Sequence, residues 1–88
     1  MPKFCVRVEV WLKDELVDAE GKTVEDALKD LGYNVDSMRV GKIYSFIINV
    51  DSIGEAKGIV EDICQRLLAN PVKDKYFVSV SSYEVQCC

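Results

Sequence analysis

The stretch 52-SIGEAKGIVEDICQRLL-68 decides how the remainder of the chain can be arranged. Its apolar residues are Ala56, Ile59, Val60, Ile63, Cys64, Leu67 and Leu68. They recur at i, i+3, i+4 spacing, which puts one oily stripe along one side of a helix. Glu55, Lys57, Glu61, Asp62, Gln65 and Arg66 fall elsewhere on the wheel and can face water. Ser52 and Glu55 have the spacing of a capping box. Asn70-Pro71 stops the helix, because proline lacks the amide hydrogen and pushes the preceding residue out of the helical region. Gly54 and Gly58 lower helix propensity near the first turns. A stripe this regular needs a sheet to lie on, and the flanking segments supply strands.

Residues 43–50 precede the helix, with Tyr44, Phe46, Ile48 and Val50 on one side and Ile43, Ser45, Ile47 and Asn49 on the other. Residues 75–85 follow it, and alternate again. At the start of the chain Phe4, Val6, Val8, Val10 and Leu12 alternate without a fault, which marks a strand with a continuous inner face. Its other face carries Cys5, Arg7, Glu9, Trp11 and Lys13. Residues 14–22 read as a polar loop with Gly21 as a turn signal. Thr23 then caps a short helix with Val24, Ala27, Leu28 and Leu31 as its stripe and Gly32 at its C′ position. Residues 33–40 lead into a further strand, with Met38 and Val40 on one face, and Gly41-Lys42 as the turn out of it. The order is strand, helix, strand, strand, helix, strand. It predicts an α+β fold: a ferredoxin-like βαββαβ sandwich, with a four-stranded antiparallel sheet and two helices on one face. The open sheet face keeps Trp11, Ile43, Ile47 and Phe77, several apolar residues on adjacent strands, which points to a face covered by self-association or by docking to a larger protein.

Eighty-eight residues allow a single domain, 1–88, with modest stability of its own. The 11 basic and 15 acidic residues give a net charge of -4, which argues against nucleic acid as a partner. No apolar run approaches a membrane span, so a soluble cytoplasmic protein is expected. The chain contains 0 histidines, which removes the commonest general base and metal ligand. Cys5, Cys64, Cys87 and Cys88 have no metal-site spacing and are expected to be reduced, with Cys64 in the core. Asp14, Glu15, Asp18 and Glu20 cluster without the ligand spacing of a calcium loop. Ser79, Ser81 and Ser82 lie in a strand with no histidine to activate them. No catalytic residue, cofactor site or metal site is expected in this chain. The best local candidates for a ligand or partner contact are Arg39, Gly41 and Lys42 at a strand junction, with Lys13 at the end of the first strand. Asn70 and Pro71 join them through the resemblance that follows.

The chain resembles the PurS family, the small subunit of bacterial and archaeal phosphoribosylformylglycinamidine synthase. The marks are Val10-Trp11-Leu12-Lys13 and Gly21, then Ala27-Leu28 with Leu31-Gly32-Tyr33, then Arg39-Val40-Gly41-Lys42. The strongest is Cys64 followed by Leu67-Leu68-Ala69-Asn70-Pro71-Val72 and Tyr76. Ala19 stands where the family usually has proline, and Lys73-Asp74-Lys75 departs from its usual composition after Asn-Pro-Val. The resemblance implies a three-subunit complex acting as an ATP-dependent C–N ligase. A glutaminase subunit releases ammonia. A large synthetase subunit uses ATP and magnesium to activate the formyl-amide oxygen of formylglycinamide ribonucleotide, and ammonia replaces that oxygen. This is the fourth step of purine synthesis. The implied role of the small subunit is non-catalytic: it forms a homodimer or tetramer and bridges the two larger subunits. A rival with the same element order is an ACT-like regulatory module, which would hold a small ligand between two protomers. An RNA-binding module is a weaker rival, since the acidic balance opposes it.

Overall fold

The structure is a computed structural model and describes residues 2–83. Three strands, β1 (Lys3–Leu12), β2 (Lys42–Asn49) and β3 (Asp74–Ser82), form one antiparallel sheet in the order β2-β1-β3. Helix α1 (Ala19–Asp30) lies between β1 and β2, and helix α2 (Ile53–Ile63) between β2 and β3. The faultless alternation of β1 makes it the central strand. Its register pairs Val6 with Phe46 and Val80, and Val8 with Tyr44 and Val78. The core therefore lies between this inner face and α2, where Val8, Val60 and Cys64 are fully buried.

Helix α2 follows its sequence signals closely. The Ser52 hydroxyl accepts from the Glu55 amide at 3.2 Å, satisfying one of the free donors of the first turn. The Glu55 carboxylate reaches back to the Asp51 amide at 3.4 Å. The helix widens into a π-helical turn, Cys64–Leu68, closed by the Ala69 amide on the Cys64 carbonyl at 2.9 Å. Asn70 spends its side chain on the Val72 amide at 2.9 Å, an Asx turn that aims the chain into β3.

The four-stranded sheet expected from the sequence is not present among the described residues, where the sheet has three strands. Residues 33–41 are irregular, and the cause is visible in their hydrogen bonds. The Val40 amide donates to Asp18 Oδ2 at 2.7 Å, and the Met38 amide donates to Glu25 Oε1 at 2.9 Å. Two carboxylates thus take amides that a neighbouring strand would need. Ser37, at φ 56°, turns the backbone out of extended geometry between them. Nor do the two helices share one sheet face. Helix α2 packs on β1 and β3, whereas α1 packs mainly on the 38–40 segment. The Cα envelope is accordingly long and thin, 51 × 31 × 14 Å.

Helix α1 also begins earlier than its apolar stripe suggested. Asp18 is the N-cap, accepting from the Gly21 amide at 2.9 Å. Thr23 sits inside the helix with its hydroxyl on the Ala19 carbonyl. Gly21 is a helical residue pressed against the irregular segment 33–41, the link into β2, since a Cβ there would stand 2.6 Å from the Met38 carbonyl oxygen. The C-terminus is as expected. Gly32, at φ 96°, occupies C′, and the Gly32 and Tyr33 amides return to the Lys29 and Leu28 carbonyls.

Cys5 is disulfide-bonded, against the expectation of reduced thiols. Cys64 is free and buried, as read from the stripe. Cys87, Cys88 and the last residues of the expected final strand also lie outside the described residues.

Candidate interaction surfaces

The end of β1 gathers most of the polar residues singled out in the sequence. The Arg39 guanidinium donates to three carbonyls there: Leu16 at 3.0 Å, Leu12 at 3.2 Å and Lys13 at 3.1 Å. A planar fork with several fixed donors suits this work. The Arg39 guanidinium is therefore engaged in holding the turn after β1. Gly41 lies against the Trp11 ring so closely that a Cβ would stand 2.7 Å from it. Lys42 opens β2 opposite Val10 and is exposed. The Lys13 amide donates to the Lys73 carbonyl at 2.8 Å, which brings the Asn70-Pro71 turn to the same end of the molecule. Among the described residues, no carboxylate pairs with the Lys13, Lys42 or Lys73 ammonium groups. Lys75, by contrast, is paired with Asp14 at 2.6 Å. A surface groove of about 390 Å³ runs through this junction between Trp11, Gly41, Lys42, Leu68 and Lys73.

Two carboxylates hold the junction together: Asp18, read in the sequence only as part of an acidic loop, and Glu25, which the sequence reading did not single out. Asp18 and Glu25 are both buried. Hydrogen bonds from the Gly21 and Val40 amides hold the Asp18 carboxyl below its usual range, and the Arg39 charge adds to this. The Met38 amide does most to lower Glu25, and Lys29 assists at 3.1 Å. Asp18 was legible in principle, as an N-cap type of residue immediately ahead of the helix that begins at Ala19. Glu25 gave no such signal, because its partner lies thirteen residues away in an irregular segment. Among the described residues no group of three or more cysteines or carboxylates is arranged to hold a metal ion. Among the described residues no helix is long and apolar enough to cross a membrane.

The outer sheet face carries the apolar candidates. Ile43 and Phe77 flank Glu9 in one row, and both are more than half exposed. Ile47 lies in the row of Cys5 and Ser81, and Trp11 in the row of Lys75. Between them runs a polar row, Ser45-Arg7-Ser79. The structure thus places Ile43 and Phe77 together, with Trp11 at one end and Ile47 across a polar strip. A second apolar surface was not expected to stand free. It is the stripe of α1, where Val24 is 39% exposed and Leu31 is 73% exposed.

The notable features of this small α+β chain, among the described residues, are exposed apolar and basic surfaces of the kind found where proteins meet. Comparison with known proteins gives the family. The PurS profile, described as phosphoribosylformylglycinamidine (FGAM) synthase, matches residues 5–82. The phosphoribosylformylglycinamidine synthase subunit PurS of Methanothermobacter thermautotrophicus is 40% identical over 82 residues, spanning 93% of this chain and 98% of the relative. The solved structure of Methanocaldococcus jannaschii PurS superposes with a TM-score of 0.83 at 33% identity, covering 92% of this chain and 99% of that one. A chain of the solved PurLQS structure from Thermotoga maritima superposes with a TM-score of 0.85 at 31% identity, covering 91% and 99%. The chain belongs to the PurS family, the small subunits of FGAM synthase.

Proposed function

We propose that this chain is the non-catalytic bridging subunit of an FGAM synthase complex, holding a glutaminase and a synthetase subunit so that ammonia passes between them. The observation that carries the reading is the family match across residues 5–82, joined to a superposition, over 91% of this chain, on a chain of the PurLQS structure. In this reading ATP and magnesium are bound by the synthetase partner, and the complex works in the cytoplasm. Lys13 and Lys42, with the Asn70-Pro71 turn and Gly41, form the edge that meets a larger subunit. Arg39 acts on that edge indirectly, by fixing the carbonyls beneath it. The outer face bearing Trp11, Ile43, Ile47 and Phe77 is covered by sheet-to-sheet contact with another copy. Packed contacts of this kind exclude water, which a path for ammonia needs.

The test is reconstitution. The purified chain is mixed with the two larger subunits, and glutamine-dependent formation of the amidine product is followed. Product that appears only with all three components supports the reading. Equal turnover by the pair lacking this chain overturns it. The single variants Lys13→Ala and Lys42→Ala are expected to weaken assembly without unfolding the chain, and unaltered assembly in both removes the assignment of that edge.

A further inference from the structure

Among the described residues, the three most exposed large apolar side chains are Val17, Leu67 and Val72, at 84%, 81% and 80%. They come from three separate segments, yet all belong to one end of the molecule. Val17 lines the groove beside Trp11 and Gly41, Leu67 precedes Leu68 in its wall, and Val72 precedes Lys73 at its rim.

The exposure of Leu67 has a local cause. Leu67 is seven residues beyond the buried Val60, and regular α-helical spacing brings such a residue to within about 20° of the same face. The π-helical turn Cys64–Leu68 takes more residues per turn. Leu68 then occupies the inward place, half-buried against the core, and Leu67 is turned out to solvent. Single π-turns inside helices recur at functional sites. Val72 is presented as firmly. The Asn70 carbonyl accepts from the Lys73 amide at 3.2 Å and from the Asp74 amide at 2.8 Å, and the Asn70 amide donates to Asp74 Oδ2 at 2.9 Å. A fixed backbone therefore holds these apolar groups out into water.

The charges around the groove add a direction. On the strand side, Lys42 and Lys73 are exposed, and among the described residues no carboxylate pairs with either. Asp74 is engaged with the Asn70 amide, and Asp18 with the Gly21 and Val40 amides beside the Arg39 charge. On the helix side stands the exposed Glu20. A segment that fits offers apolar side chains to Val17, Leu67 and Val72, and a carboxylate to the two lysines, away from Glu20. A groove of about 390 Å³ admits a few side chains and not a folded element.

We propose that this end of the chain docks a short apolar segment of one of the larger subunits, with an acidic residue turned toward Lys42 and Lys73. The proposal rests on the bridging role stated above and names the chemistry by which that edge is recognised. Apolar contact supplies the affinity, and the lysines fix which way the segment lies. A second copy of this chain is the poorer occupant. In an isologous contact this end would meet itself, lysines against lysines, and like charges brought together oppose docking.

The experiment uses the full chain and the two purified larger subunits together, with binding followed by titration calorimetry. Leu67→Asn is expected to weaken binding about tenfold, with circular dichroism unchanged because Leu67 touches little of its own core. K42E/K73E is expected to weaken it by a similar factor and to remove its sensitivity to salt. A photo-crosslinking amino acid at position 67, in an otherwise unaltered chain, is expected to join a peptide of a larger subunit that contains aspartate or glutamate. Unchanged affinity in either variant overturns the proposal. So does a crosslink confined to copies of this chain, or one to a peptide without an acidic residue. Those results leave the three-subunit turnover standing, whereas turnover that does not need the unaltered chain removes the bridging role itself.

Discussion

The two halves of the molecule are held by different forces. On the α2 side, Val6, Val8 and Val10 meet Val60 and Cys64 in a dry core, and the polar atoms are at the rim. On the α1 side, the link is held by carboxylates on backbone amides and by a guanidinium on backbone carbonyls, while apolar side chains stand in the open. Apolar packing is non-directional, and a helix held that way settles wherever the most surface is covered. Charge-assisted hydrogen bonds are directional and fix a posture even where little surface is buried.

The largest expected contrast is in stability. Val60→Ala is expected to cost about 2 kcal/mol in urea unfolding, because it empties part of a core with no exposed neighbour to collapse into it. Leu31→Ala, at a concentration where the chain is unassociated, is expected to stay within about 0.5 kcal/mol. Equal losses would show that α1 is packed into its own core and would erase the distinction between the halves.

Arg39→Ala is next. Loss of three carbonyl contacts is expected to cost about 1–2 kcal/mol and to speed hydrogen exchange at Leu16 and Val40, with the Val60 amide unaffected. Arg39→Lys is expected to restore little, since one ammonium cannot reproduce the fork. Rescue by lysine would mean that charge, and not geometry, holds the turn.

A smaller effect is expected at Gly41. A methyl group there meets the Trp11 ring at 2.7 Å, so Gly41→Ala must push the indole aside. Trp11 is the single tryptophan of the chain, and its fluorescence reports the shift directly. An unchanged spectrum would show that the ring does not rest on Gly41.

The smallest effect sharpens the comparison by pH. Asp18 and Glu25 have carboxyls held below their ordinary range in the fold. Their contribution is therefore complete above the unfolded values, about pH 4 for both, and is lost as the pH falls through the lowered folded ones. Below about pH 4, exchange at the Met38 and Val40 amides is expected to rise before exchange at Val8 or Val60 does. D18N/E25Q is expected to remove that early step. Simultaneous loss of both halves would show them to be one cooperative unit.

Much of the fold could be read from residue order. The stripe of residues 52–68, the cap at Ser52 and the alternation of β1 each satisfy one local rule, and local rules act over three or four residues. The strand expected at 33–40 failed because its apolar pattern was short and its amides were claimed by carboxylates thirteen and twenty-two positions earlier. The candidate edge was partly legible. Lys13, Gly41, Lys42 and Asn70-Pro71 do converge, but nothing local showed that Arg39 would spend its donors on carbonyls of the turn after β1.

The chain's periodicities and caps, being properties of near neighbours, determined by themselves that there would be two amphipathic helices and an alternating central strand, and its motifs determined the family. Which amides go to strands and which to carboxylates, and therefore three strands instead of four, only the tertiary structure decided. So too with the standing of α1 away from its own sheet. These depend on groups brought together from far apart in the chain, where a single buried carboxylate can outweigh a run of local preference.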